Sequence, residues 1–277
     1  MKYRRLIACD LDGTLLNSAS SISDDLVGRL QGILPSDTAF TLATGRVLRE
    51  LRSFVIQLGC ISVPVIAETG AVLLDPDTGS EIMPQAMSSQ IISRILMVLE
   101  KGPWEYNVYL SNGDHCVPFR SHPGVWFTDI PETEALRPLL KDIGEWHTTD
   151  LSRIRKVFLR CEPAETSEIK HAISCAVRDL ADVQQSDTNC IDILAAGVNK
   201  GVALGRLRQL LGISAADVMA IGDSETDISM FSVAGTSVAM ENADGAVKNA
   251  ARYVVPSNDD DGVLVAVEHF VKGEYDV

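Results

Sequence analysis

The chain has 277 residues, of which 46% are hydrophobic and 22% charged, and its formal net charge at pH 7 is -14. That balance belongs to a globular protein, not a disordered or fibrous one, and the length predicts one large domain or a core carrying an insertion. The acidic surplus excludes nucleic acid and anionic membrane as partners, since both need a basic surface. A phosphorylated metabolite needs only a local positive site.

A short apolar run, Leu6 to Cys9, stops at Asp10 and reads as a buried strand delivering acidic residues to its carboxyl end. A helical pattern follows around Asp24 to Leu34, then a strand at Ala39 to Ala43 that ends in Thr44-Gly45-Arg46. Val47, Leu48, Leu51, Val55 and Leu58 fall at helical spacing, and Val63 to Ala67 reads as a third strand. This alternation implies a parallel sheet covered on both faces, with ligands outside the carboxyl ends of the strands.

Between about 84 and 188 the pattern changes. A helix at Ser88 to Glu100 leads into Glu105 to Leu110, a turn at Ser111-Asn-Gly-Asp and a further strand from Cys116. Arg155 to Cys161 reads as a strand and Ala164 to Leu180 as a helix. The first pattern then returns, with a helix at Lys200 to Leu211 and strands at Val218 to Ile221, Ser237 to Met240 and Tyr253 to Val255. The expected organisation is a discontinuous sheet domain, 1–83 and 189–277, interrupted by an α+β module at 84–188.

Six cysteines, at 9, 60, 116, 161, 175 and 190, form no CxxC pair and no short zinc spacing, so they read as reduced thiols filling apolar positions. Asp10 and Asp12 cut the first apolar run to about four residues, where a secretory segment needs roughly seven. No stretch approaches the roughly 18 apolar residues of a membrane span. These features predict a cytoplasmic protein.

The decisive segment is Asp10-Leu11-Asp12-Gly13-Thr14, directly after the first strand. Two carboxylates two residues apart in a glycine turn can share one site. Phosphoryl transfer can use one as nucleophile and the other as proton donor to the leaving oxygen. Their repulsion calls for a cation, and hard oxygen ligands suit Mg²⁺. Three further segments stand in order behind it: Leu42-Ala-Thr44-Gly45-Arg46 after the second strand, Gly197-Val-Asn-Lys200-Gly201 opening a helix, and Ile221-Gly-Asp223-Ser-Glu-Thr226-Asp227 after another strand. Taken singly, the second reads as a helix N-cap and the lysine as a solvated residue. No Gly-Lys-Ser/Thr is present, so the lysine segment is not a Walker loop.

With these four segments the chain resembles the haloacid dehalogenase-like hydrolase superfamily, and within it the Cof-type phosphatases with a large inserted cap. The resemblance implies an α/β fold: a Rossmann-like parallel sheet core with an inserted α+β cap. It implies that Asp10 attacks phosphorus and that Asp12 protonates the leaving group and then activates water. Thr44 and Gly45 would hold phosphoryl oxygens, Lys200 would neutralise charge, and Asp10, Asp223 and the backbone carbonyl of Asp12 would bind Mg²⁺. Asp227 would support that shell, with Arg46 and Thr226 in lesser supporting places. Thr226 departs from the family, where asparagine is usual. Glu68-Thr69-Gly70-Ala71, Val238 to Ala243 and Asn258 to Val263 echo its other segments without assignable roles.

In such relatives the cap chooses the substrate. Trp104, Tyr106, Tyr109, Arg120, His122, Trp126 and the Arg153 to Lys156 cluster would suit a sugar phosphate, although singly each aromatic reads as core packing and each charge as a solvated face. The expected function is Mg²⁺-dependent hydrolysis of a small phosphorylated metabolite through an aspartyl phosphate. A phosphomutase, a phospho-acceptor signalling module and a non-catalytic phospho-ligand-binding protein are the alternatives. Net phosphate release separates the first, persistence of the phosphoprotein the second, and Mg²⁺-independent ligand association without phosphate release the third.

Overall fold

The structure is a computed structural model that describes residues 2–99, 105–110, 115–117, 141–142 and 154–275. It contains two compact units, Met1–Met83 with Asn199–Val277, and Pro84–Val198. Trp104, the turn at 111–114, Arg120, His122, Trp126, Trp146 and Arg153 lie outside the described residues.

In chain order the first unit opens with β1 (Arg5–Cys9), α1 (Asp24–Ile33), β2 (Thr38–Leu42), α2 (Leu48–Leu58), β3 (Val65–Ala67), β4 (Val72–Leu74) and β5 (Glu81–Ile82). The second unit holds α3 (Ser89–Leu99), β6 (Glu105–Leu110), β7 (His115–Val117), β8 (Lys141–Asp142), β9 (Ile154–Arg160), α4 (Thr166–Val177), β10 (Ala181–Asp187) and β11 (Cys190–Ala195). The first then resumes with α5 (Lys200–Leu211), β12 (Val218–Gly222), α6 (Ile228–Phe231), β13 (Thr236–Met240), α7 (Gly245–Ala250), β14 (Tyr253–Val255) and α8 (Gly262–Lys272).

The main sheet is parallel throughout, in the order β14-β13-β12-β1-β2. β1 is an interior strand, between β12 and β2, and all four of Leu6, Ile7, Ala8 and Cys9 are fully buried, as expected of a strand covered on both faces. Its alternation divides the core. Ile7 and Cys9 pack with Leu30, Leu51, Leu264 and Val267, on the side of α1, α2 and α8. Leu6 and Ala8 pack with Leu204, Leu207, Phe231 and Val247, on the side of α5, α6 and α7. The helices start where capping chemistry allows: the Ser23 hydroxyl accepts from Leu26 N at 3.1 Å and Asn199 Oδ1 from Val202 N at 2.8 Å. The second cap sets the first turn of α5 and thereby the place of Lys200.

Two features depart from expectation. β3 does not extend the parallel sheet as a full strand. Its Ile66 meets Ala43, just past β2, through a single parallel bridge, with another from Phe40 to Ile61 ahead of it, and it pairs antiparallel with β4, which in turn pairs with β5. The second unit also runs past the expected limit at 188, because β11 pairs antiparallel with both β9 and β10. Its sheet has the order β10-β11-β9-β6-β7-β8. α3 and α4 bury Ile92, Ile95, Leu96, Ile169 and Ile173 with Val157, Leu159, Ile191 and Ile193 of that sheet.

The Arg155-Lys156 pair does not form a solvated face. Both residues are buried, and Lys156 Nζ lies 2.8 Å from Asp192 Oδ1. Cys9, Cys60, Cys161, Cys175 and Cys190 are free thiols; Cys9 is buried, whereas Cys175 is exposed. Among the described residues no helix is long and apolar enough to cross a membrane.

Candidate active site

Every acidic residue singled out in the first unit stands at or just beyond the carboxyl end of β1 or β12. Asp10 follows β1 and is buried, its amide donating to Ile221 O at 2.9 Å. The loop beyond turns sharply at Gly13, whose φ is +77°. A Cβ there would stand 2.4 Å from Asp223 Oδ2, so glycine is required by both conformation and space. The neighbouring Thr14 hydroxyl donates to Asp223 Oδ1 at 2.6 Å.

Lys200, from the first turn of α5, reaches the same place. Its Nζ donates to Asp10 Oδ1 at 2.6 Å and to Asp227 Oδ1 at 2.7 Å, and all three side chains are buried. The second Asp227 oxygen accepts from the amides of Asp223 (3.1 Å) and Ser224 (3.0 Å) and from the Ser224 hydroxyl (2.9 Å). Asp227 is thus the anchor of the β12 loop. Gly222 permits this closeness, since a Cβ there would lie 2.4 Å from Asp227 Cβ. Thr226, where the family usually has asparagine, is buried and shares a 2.8 Å hydrogen bond with the Ser224 hydroxyl.

Asp12 faces a different partner. Its carboxylate accepts from Arg46 Nε (to Oδ2, 2.9 Å) and Nη2 (to Oδ1, 2.6 Å), and it is half-exposed. Thr44, fully buried beyond β2, accepts from Arg46 N at 3.1 Å through its hydroxyl, which leaves the hydroxyl hydrogen to be donated. Gly45 lies between them in the same turn.

The electrostatics follow from this crowding. Burial opposes the charge of Lys200, but Asp10 and Asp227 outweigh it and hold the ammonium above the usual lysine range. Burial raises Asp10 well above the usual carboxylate range; Lys200 opposes the rise, while Asp227, Asp223 and Asp12 add to it. Asp223 is pushed up to about 7, by burial first and by Asp227 next, against the Thr14 hydrogen bond and Lys200.

Asp10, Asp223 and Asp227 each bring one carboxylate oxygen to within 4.8 Å of the others. Three carboxylates against one ammonium leave two negative charges when all are ionised, and a divalent cation with a preference for oxygen fits that set. Asp10 and Asp223 are the better placed to hold it, because both Asp227 oxygens are already engaged.

Of the expected residues, the structure brings Asp10, Lys200, Asp223 and Asp227 together, and it pairs Asp12 with Arg46 beside Thr44. Sequence reasoning gave no role to Thr14, Ser224 or Asn242. Asn242 Nδ2 donates to Gly13 O at 2.7 Å, and its Oδ1 accepts from Asn258 N at 3.1 Å. Their one visible signal was membership in segments that echo the family.

The haloacid dehalogenase-like hydrolase family model matches residues 7–267. A 5-amino-6-(5-phospho-D-ribitylamino)uracil phosphatase of Bacillus subtilis, YwtE, is 29% identical over 98% of this chain and 99% of its own length. An HMP-PP phosphatase of Yersinia pseudotuberculosis is 27% identical over 86% of this chain and 84% of its own. A solved haloacid dehalogenase-like hydrolase from B. subtilis superposes with a TM-score of 0.81 at 26% identity, over 97% of this chain and 99% of that one. With the parallel sheet and the site at its carboxyl edge, these likenesses show that the chain belongs to the haloacid dehalogenase-like hydrolases, as a phosphatase of that family.

Proposed function

We propose that this chain is a Mg²⁺-dependent phosphohydrolase that cleaves a small phosphorylated metabolite through an aspartyl phosphate on Asp10. The observation that carries the reading is the buried Lys200 ammonium bridging Asp10 and Asp227, beside Asp223, at the carboxyl ends of β1 and β12. A nucleophilic carboxylate there has its charge balanced without losing its place.

The Asp10 carboxylate attacks phosphorus, the bond from phosphorus to the leaving oxygen breaks, and Asp12 gives that oxygen its proton. Asp12 then takes a proton from the water that attacks the aspartyl phosphate, which releases inorganic phosphate and restores Asp10. Lys200 stays charged throughout and offsets the negative charge that gathers around phosphorus. The Thr44 hydroxyl and the Gly45 amide serve the phosphoryl oxygens. Asp10, Asp223 and the Asp12 backbone carbonyl would hold Mg²⁺, which supplies charge neutralisation and polarises the phosphoryl group. Asp227 keeps Lys200 and the β12 loop in place.

The second unit is assigned the choice of substrate. Both phosphatase relatives are named for small metabolites, one of them a phosphoribityl compound, and a sugar or polyol phosphate is the corresponding class here. The test is phosphate release from para-nitrophenyl phosphate and a panel of sugar, polyol and nucleotide phosphates, for the wild type and Asp10→Asn, with and without Mg²⁺. Turnover that needs both Mg²⁺ and Asp10 is expected. Activity surviving in purified Asp10→Asn would overturn the aspartyl-phosphate route.

A further inference from the structure

An arginine next to a phosphate-holding turn is ordinarily taken to bind phosphate. Arg46 is committed elsewhere. Its guanidinium grips both oxygens of Asp12, with Nε 2.9 Å from Oδ2 and 3.2 Å from Oδ1, and Nη2 2.6 Å from Oδ1. Two N–H groups in a fixed plane set the position and the tilt of a carboxylate, which a lysine point charge does not do.

The guanidinium is itself held. Its side chain is 14% exposed and lies 5.1 Å from the ring centroid of Phe54, a buried residue of α2. Its backbone is tied at both ends, the amide donating to the Thr44 hydroxyl at 3.1 Å and the carbonyl accepting from Glu68 N at 3.1 Å. Asp12, by contrast, is half-exposed at a loop tip, immediately before the left-handed Gly13. Among the described residues its carboxylate is hydrogen-bonded by Arg46 alone.

We propose that Arg46 is a positioning residue for proton transfer: it holds the Asp12 carboxylate where that group exchanges a proton with the leaving oxygen, and it does not grip the transferring phosphoryl group. This rests on the reading of Asp12 given above. A group displaced by even about an ångström from its reacting partner loses orders of magnitude in rate, so a half-exposed carboxylate at a glycine turn needs such a holder.

The test separates the two uses of an arginine by leaving group. Para-nitrophenolate departs without a proton, whereas an alkoxide from a sugar or polyol phosphate needs one. Values of kcat/KM are compared for para-nitrophenyl phosphate and for the best alkyl phosphate of the wild type. Arg46→Ala is expected to lose about tenfold or more on the alkyl substrate beyond its loss on the aryl one. Arg46→Lys, which keeps the charge but not the fork, is expected to show the same selective loss. In an Asp12→Asn background, adding Arg46→Ala is expected to change the alkyl rate by less than about twofold, the non-additivity of residues that act as one. Melting curves confirm that each variant is folded.

Equal losses on both substrates, or an undiminished Arg46→Ala effect in the Asp12→Asn background, overturn the inference and leave the phosphatase reading standing. A wild type whose turnover needs neither Asp10 nor Mg²⁺ overturns that reading, and this inference with it.

Discussion

In the first unit the clustered charges stand where the sheet stops. Asp10 follows β1, Asp223 and Asp227 follow β12, and Lys200 opens a helix whose N-cap fixes its direction. In the second unit, Lys156 and Asp192 stand within neighbouring strands, their side chains 2.8 Å apart inside the folded unit. The first group is unbalanced, three acids to one base, and stays together because backbone amides, hydroxyls and Lys200 supply donors. The second sets one buried ammonium against one buried carboxylate. An excess of one sign, held by many donors at the edge of a sheet, marks a place prepared for something still to arrive.

Removing one partner from each group sharpens the contrast most. Lys200→Met leaves Asp10 and Asp227 without their shared ammonium, and hydrolysis is expected to fall by about a thousandfold or more, as for the loss of a central electrostatic group. Stability should fall too, since breaking a buried pair costs about 3–5 kcal/mol. Adding Asp10→Asn should restore part of that stability and none of the turnover. A double variant that regained turnover would show that the cluster is structural.

Lys156→Met should lower the stability of the protein by about 3–5 kcal/mol, read by urea unfolding, because it removes the ammonium 2.8 Å from the buried Asp192 carboxylate. Adding Asp192→Asn should recover more than half of that loss, since the carboxylate that faced Lys156 is then neutral. If the recovered protein also keeps its Asp10-dependent turnover of para-nitrophenyl phosphate, the pair is confined to holding its sheet. Loss of turnover in that stable double variant would break the comparison.

The same contrast shows what local pattern could and could not disclose. β1 was legible because four successive apolar residues end in an aspartate, and β12 because Val218 to Ile221 end the same way at Asp223. β10 and β11 were missed. β10 reads Ala-Asp-Val-Gln-Gln-Ser-Asp, with little apolar alternation, and β11 carries the fully buried Asp192 among apolar residues. A pattern that assigns charge to solvent cannot find a strand whose charge is paired inside, so the expected boundary fell at 188, short of Val198. Within the site, the residue types and their order were legible because each follows a strand. The pairings were not: Thr14 with Asp223 and Asn242 with Gly13 join positions 209 and 229 residues apart.

The unbalanced cluster should also respond to acid. Asp223, pushed up to about 7, is protonated below that pH in the metal-free protein. Binding of Mg²⁺ must release this proton, so affinity should rise by up to about tenfold per pH unit toward 7 and level off above it. The stability sign is opposite. A carboxyl whose folded value is raised contributes stability fully present below its unfolded value, near 4, and lost as the pH rises through about 7. Saturating Mg²⁺ should remove that decline. Calorimetric Mg²⁺ titrations at pH 6, 7 and 8, with melting curves beside them, read both; an affinity flat over this range would mean that Asp223 is already ionised.

The smallest expected effect lies at the rim of the cluster, where Asn242 Nδ2 donates to Gly13 O and Asn258 braces Asn242 from behind. Asn258 Nδ2 also donates to Leu16 O at 2.8 Å, so the loop carrying Asp12 is tied at two carbonyls to the strand ends after β13 and β14. Among the described residues neither asparagine hydrogen-bonds to the cluster carboxylates. Asn242→Ala removes two hydrogen bonds, to Gly13 O and from Asn258 N, about 2 kcal/mol of stability, and lets a loop whose placement matters move by a fraction of an ångström. If the loop is held only for stability, turnover should follow the small change in folded fraction and stay close to wild type. If it is held to aim Asp12, kcat on an alkyl phosphate should fall about tenfold while the melting point falls by only a few degrees. The expected outcome is the second, because a tie spent on a partly exposed loop tip adds little to a core already closed by the residues around β1.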